Sequence, residues 1–169
     1  MVVFSGGVVA EIMATNSVFI IVFDELVTGE ELSYLKRRAK NSTLLYGVMN
    51  SAMFSLRWFR DALYCGETMK KDAYPRMNRE VEERAKRPSR IIFLPYMAGE
   101  RAPIWDPDAR GTFIGLNLNT SRAELIRAIM EGACFALQDN LDQAAKMGLP
   151  IKDISCCGGC RRRDKWLKS

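Results

Sequence analysis

Three places in this chain could hold a phosphate, because each joins residues that favour extended backbone to a small or hydroxyl-bearing turn. Residues 8–17 carry the Thr15 hydroxyl at the polar turn Ala14-Thr15-Asn16-Ser17. Gly111 and Gly115 stand four positions apart, and Gly158 and Gly159 are adjacent just before a basic stretch. At such turns backbone N–H groups and the dipole of a following helix converge on an anion, while glycine lets the ligand come close. Taken singly, each also reads as an ordinary structural turn. Cys157 and Cys160 add a C-x-x-C spacing that could serve thiol redox chemistry if a helix N-terminus lowered a thiol pKa. As a zinc site this stretch supplies two or three sulfurs in a chain with no His and no second C-x-x-C. Cysteines at small-residue positions of a glycine turn explain the same pattern without chemistry.

The elements that must position these residues alternate between strands and helices. Residues 2–9 and 18–23 are β-branched and aromatic runs around the 14–17 corner, and residues 30–40 read as a charged, exposed connector. After Asn50 or Ser51, Ala52, Met53, Leu56, Phe59 and Leu63 recur on one helix face, which should bury itself on a sheet. Residues 75–87 form a second helix with Met77, Val81 and Ala85 on one side, ended by Pro88. Residues 91–94 are a short buried strand, and the three prolines within 95–110 make that stretch an ordered loop. In the loop Asp106 and Asp108 read as turn formers, and Trp105, like Trp58, as a packing residue.

Residues 112–118 read as a strand bounded by Gly111. Ser121 and Glu124 have capping-box spacing, and Leu125, Ile129, Ala133, Ala136, Leu137 and Leu141 then continue an apolar helix face to a stop at Gly148. Residues 151–156 are a last strand, Gly158 and Gly159 a turn, and Arg161 opens a further helix. The pattern is α/β, a mixed sheet flanked by helices.

Bulk properties narrow the function classes. The chain has 169 residues, 48% hydrophobic and 27% charged, which suits one domain with a real core. Of the net charge of +5, the last ten residues contribute +4, so the remainder is near neutral and a nucleic-acid role is not expected. The longest apolar run, residues 18–23, is far short of the roughly 20 residues that span a bilayer, and the first ten residues have no basic start. Cys65, Cys134, Cys156, Cys157 and Cys160 are an odd number without secretory context, which argues for reduced thiols. The expectation is a cytoplasmic protein with no membrane anchor.

Six pieces then follow in order: Ala14-Thr15-Asn16; Leu56-Arg57-Trp58-Phe59-Arg60-Asp61; residues 99–107 with Trp105-Asp106-Pro107; Gly111 to Leu116; Arg127 to Gly132; and Gly158-Gly159-Cys160. This order resembles the C-terminal domain of the FGGY carbohydrate kinases, the sugar-kinase family that includes xylulokinase and glycerol kinase. The resemblance covers essentially the whole chain. It implies an actin-like, ribonuclease-H-like ATPase fold, here partial and truncated at both ends, and transfer of the ATP γ-phosphoryl group to a sugar or polyol hydroxyl with Mg2+.

Carried over by residue, the resemblance places Thr15 toward the β/γ-phosphates, Gly111 and Gly115 at the nucleotide pocket wall, and Gly158 and Gly159 against the adenosine. Arg127 and Glu131 would be structural, the guanidinium satisfying loop backbone. No residue matches the general base, an Asp that the family carries just upstream of the segment corresponding to Met1, and none is assigned as a metal ligand. The N-terminal sugar and phosphate domain is unmatched too, so the chain alone should be inactive and its partners would be ATP and a separately encoded N-terminal half. The rival readings are a non-catalytic nucleotide- or partner-binding fragment, thiol redox through Cys157 and Cys160, and a remnant without function. The sequence departs from the family pattern at Ala14, Cys160 and Arg161, and a side chain at a glycine position obstructs close approach of a ligand.

Overall fold

The computed structural model describes residues 8–13, 17–23, 32–37, 42–64, 72–85, 87–149, 151 and 153–158. Among the described residues seven strands and three α-helices run β1 (Val8–Met13), β2 (Ser17–Phe23), β3 (Ser33–Arg37), β4 (Ser42–Met49), α1 (Ala52–Phe59), α2 (Ala73–Arg84), β5 (Ile92–Leu94), β6 (Thr112–Ile114), α3 (Arg122–Lys146) and β7 (Asp153–Gly158). Five strands form one mixed sheet in the order β3-β4-β2-β1-β7, and β5 and β6 form a separate antiparallel pair. Within the large sheet β1, β2, β4 and β3 pair antiparallel in turn, while β7 runs parallel to β1.

Several strands differ from the sequence expectation. Strand β1 continues through Ala10 to Met13, four residues past the expected end, because it is paired on both sides, to β2 and to β7. Residues 2–7 lie outside the described residues. The expected connector at 30–40 contains β3, an edge strand on β4, where basic residues such as Lys36 and Arg37 suit an edge that must not pair further. β4 was not expected at all, since Gly47 interrupts its apolar run, yet Thr43, Leu45, Gly47 and Met49 alternate as its buried side. β6 stops at Ile114 rather than 118 because Gly115 turns the chain at φ 91°. A tight turn follows in which Thr120 N–H donates to Asn117 O (3.0 Å) and Asn119 N–H to Asn117 Oδ1 (2.9 Å). β7 is displaced two residues toward the C-terminus of the expected 151–156, which puts Gly158 in the strand, not in a turn.

α3, 25 residues and so about 38 Å long, organises the interior. Ser121 caps it with a full capping box: Glu124 N–H donates to Ser121 Oγ (3.3 Å), and Ser121 N–H donates to Glu124 Oε2 (2.8 Å). At the other end Gly148, at φ 78°, donates to Ala145 O and Leu149 N–H donates to Ala144 O, which is a Schellman stop. The C-terminal half of α3 lays Leu141 and Ala144 on Phe19, Ile21 and Leu45 of the large sheet. Its N-terminal half buries Ile126 and Ile129 with Leu56 and Phe59 of α1, Met77 of α2, and Ile91 and Phe93 beside β5.

α1, expected to bury its apolar side on a sheet, packs beside Met49 of β4 and also on α2 and α3. Its apolar face is Ala52, Leu56 and Phe59; Leu63 is 56% exposed, because the π-helical turn Arg60–Tyr64 rotates it off that face. α2 ends at Arg84, three residues before the expected 87, and Arg127 Nη1 donates to the freed carbonyl of Ala85 (2.7 Å). At Gly132 the helix meets β5 so closely that an added Cβ would collide with the Phe93 carbonyl oxygen. Among the described residues no helix is long and apolar enough to cross a membrane.

Candidate functional site

The register of the large sheet brings distant parts of the chain to one end. Met13 faces Ser17, Ser17 faces Met49, and Met13 faces Gly158, so a single row crosses four strands in the order Gly158, Met13, Ser17, Met49. Thr15 and Gly159 themselves lie outside the described residues, as do Ala14, Cys160 and Arg161. The residues flanking the 14–16 turn and the first glycine of the Gly158-Gly159 pair are nonetheless in that row. The described residues bordering two of the three stretches singled out from sequence thus lie at the same end of the sheet.

The same end carries a feature that a search for glycine turns passes over. β4 leaves the row at Met49 and, after Asn50 and Ser51, starts α1 at Ala52. Ser51 occupies the N-cap without a side-chain capping bond. This is a strand, a two-residue polar turn and a helix N-terminus, an arrangement that points backbone N–H groups along the helix axis. Its only trace in the sequence is Asn-Ser after an apolar run.

Asn50 also ties the loop 99–110 to this end. Its backbone N–H donates to Glu100 Oε1 (3.1 Å) and its side-chain Nδ2 donates to Gly99 O (3.4 Å). Glu100 Oε1 accepts a second bond, from Arg101 N–H (2.7 Å), and Glu100 N–H donates across the loop to Asp106 O (2.8 Å). Glu100 is 4% exposed, and its Oε2 is buried without a hydrogen-bond partner among the described residues. Burial raises its carboxyl above the ordinary glutamate value, and the amides of Arg101 and Asn50 oppose that rise. Tyr96 is raised by burial too, with Asp139 and Glu100 nearby adding to the effect.

Gly111 begins where this loop ends. A Cβ there would press on the Met97 side chain, which would have to move aside. Gly115 lies beyond the other end of the three-residue strand β6, about 13 Å along the chain from Gly111, beside Arg90 O. The two glycines do not share one place. In the loop, Asp106 Oδ1 accepts from Asp108 N–H (2.8 Å), as expected of a turn former. Trp105 corrects its expectation: it is 46% exposed and sits at φ 55°, so it is not a buried packing residue, whereas Trp58 does pack on the cluster around Phe59.

Arg127 and Glu131 have the structural role expected of them. They pair at 2.6 Å, Glu131 Oε2 accepts Ser89 N–H (3.0 Å), and Arg127 holds Ala85 O, so together they fasten the α2–β5 connection to α3. Cys134 is a half-buried cysteine on α3; the side chain of Cys157 and all of Cys160 lie outside the described residues. No group of three or more His, Cys, Asp or Glu that could hold a metal occurs among the described residues.

Comparison with known proteins agrees with this topology. The profile of the FGGY family of carbohydrate kinases, C-terminal domain, matches residues 11–169. A gluconokinase of Bacillus licheniformis is 30% identical over 167 residues, covering 95% of this chain and 33% of the relative. A xylulose kinase of Staphylococcus xylosus is 26% identical, covering 80% of this chain and 27% of its own length. A crystal structure described as a xyloylose kinase from Brucella ovis superimposes with a TM-score of 0.84 at 28% identity, over 97% of this chain and 33% of that one. A Plasmodium falciparum glycerol kinase solved with ADP shares the fold, with a TM-score of 0.82 at 22% identity, over 97% of this chain and 33% of its own. The chain spans about a third of the length of these relatives.

Proposed function

Since the chain belongs to the FGGY family of carbohydrate kinases, as a C-terminal domain with a partial α/β actin-like ATPase fold, we propose that it is the nucleotide-side part of a kinase that transfers the ATP γ-phosphoryl group to a sugar or polyol hydroxyl. A pentulose such as xylulose is the proposed acceptor of the complete enzyme, and the cytoplasm its place of work. The observation that carries the reading is the row Gly158, Met13, Ser17, Met49, with the N-terminus of α1 immediately beyond it.

On this reading, backbone N–H groups around Thr15 and at the start of α1 receive the phosphates, and the chain following Gly158 borders the adenosine. Donors fixed to a sheet end need no reorganisation as negative charge shifts during transfer. Gly111 belongs to the pocket wall through the loop that Asn50 and Glu100 hold in place, and Gly115 to its outer margin. The described residues alone do not fit a Mg2+ ion: no acidic cluster is present and the Glu100 carboxylate is closed off. No step is therefore assigned through the metal, which in kinases is held largely by the nucleotide phosphates.

No residue of this chain matches the family's general base, and transfer needs such a group within reach of the acceptor hydroxyl. The chain by itself should thus bind ADP without phosphorylating sugar. Isothermal calorimetry with ADP, together with a coupled ADP-release assay on xylulose, ribulose, gluconate and glycerol, tests this. Heat with ADP and no turnover is expected. Absence of heat up to millimolar ADP would sink the nucleotide reading, and turnover above a Thr15→Ala control would sink the claim of inactivity.

A further inference from the structure

The nucleotide end is bordered by a loop whose attachment is chemically unusual. The loop 99–110 meets the sheet through one carboxylate, Glu100, which is 4% exposed and accepts two backbone N–H groups on a single oxygen, from Asn50 at the end of β4 and from Arg101 in the loop. Its other oxygen is buried, and among the described residues it has no hydrogen-bond partner and no basic side chain forms an ion pair with it. A buried carboxyl left half-satisfied is destabilising, and such groups in native proteins call for an explanation.

The bonds themselves offer one. Asn50 is the first residue beyond the row that contains Met49, and Glu100 is eleven residues before Gly111, so the carboxylate is the bridge between the sheet end and the loop leading to Gly111. Asn50 Nδ2 to Gly99 O repeats the attachment one residue away (3.4 Å). The loop is closed on itself behind the bridge by the Glu100–Asp106 pairing, so holding Glu100 holds the loop as a unit.

We propose that Glu100 is a positioning residue, whose carboxylate fixes the loop 99–110 against the nucleotide end of the sheet through the backbone amides of Asn50 and Arg101. The proposal rests on the reading of that end as a nucleotide site. Glu100 touches no substrate in this role; it acts through the loop and through the end of β4, where small displacements of donor groups translate into large losses of affinity.

The test uses the whole chain with ADP as the probe, and amide hydrogen exchange as a readout that does not depend on the nucleotide. Glu100→Ala should speed exchange at Asn50 and Arg101 by about tenfold or more, while core amides of α3 change less. It should also weaken ADP binding by about fivefold or more. Glu100→Gln retains an oxygen for both amides and should restore exchange and affinity to within about twofold of wild type. Gly148→Ala, which destabilises at a distance, controls for a general loss of stability and should leave ADP affinity unchanged. If Glu100→Ala does not fold, Glu100→Asp, too short to reach both amides, takes its place with the same expectations.

Unchanged exchange at Asn50 and Arg101 would overturn the proposal, as would an ADP affinity no weaker than that of Gly148→Ala, or failure of Glu100→Gln to rescue. If wild type shows no heat with ADP, the nucleotide reading fails, and the exchange arm alone then decides whether Glu100 fixes the loop to that end of the sheet.

Discussion

Glu100 and Glu124 illustrate how opposite environments shift the same side chain in opposite directions. The Ser121 backbone N–H and hydroxyl both bond Glu124 and hold its carboxyl below the ordinary range, whereas burial lifts that of Glu100. For Glu124 the folded state binds its proton more weakly than the unfolded chain. Its stabilisation is present above the unfolded value and lost as pH falls through the lower folded one. For Glu100 the folded state binds the proton more tightly, so stability declines as pH rises from about 4.5 through its raised value. Glu100→Gln mimics the protonated acid at every pH. Relative to wild type its melting temperature should therefore climb between about pH 4.5 and pH 7, with little difference at pH 4. Thermal melts at several pH values read this directly, and a constant offset would show that Glu100 is not the titrating group.

Helix α3 shows that two glycines in one element are required for unlike reasons. Gly132 faces the Phe93 carbonyl so closely that an alanine methyl has no room, while around Gly148 a Cβ would meet nothing within 4 Å and only the backbone angle of 78° resists. Gly132→Ala should accordingly cost about 2–3 kcal/mol by overpacking, against about 1 kcal/mol for Gly148→Ala. Urea denaturation of both variants checks the order, and equal losses would contradict it. Both ends of α3 were legible in the sequence, because the Ser121–Glu124 box and the Gly148 stop are local signals. Strands β3 and β4 were not: Lys36 and Arg37 disguise an edge strand as a connector, and Gly47 breaks an apolar run that is nonetheless paired on both sides. For the candidate site, Gly158 was recognised but its place inside β7 was not, since parallel pairing to β1 is set by residues far away. Asn50 was legible only as a possible helix cap, and Glu100 escaped notice, because a carboxylate acting on two backbone amides leaves no motif.

In the whole molecule, α3 belongs to two apolar clusters, one with Phe19, Ile21 and Leu45 on the large sheet and one with Leu56, Phe59 and Phe93 around the small pair of strands. A helix that long, buried along both, leaves neither cluster able to open without exposing the other. Urea unfolding followed by tryptophan fluorescence and by circular dichroism should give coincident transitions, and two separated midpoints would show that the clusters melt independently. The row at the sheet end has a further consequence. Met13 and Gly158 face each other although 145 residues separate them in sequence. During synthesis the first three-quarters of that row, Met13, Ser17 and Met49, emerges early, but the row closes only after β7 has left the ribosome and found β1 across nearly the entire chain. Loop closure over such a distance is slow, so the sheet end proposed to take the nucleotide is expected to be the last part of the domain to become competent, and, on that proposal, a nascent chain lacking β7 should hold a nearly complete sheet that does not yet retain ADP.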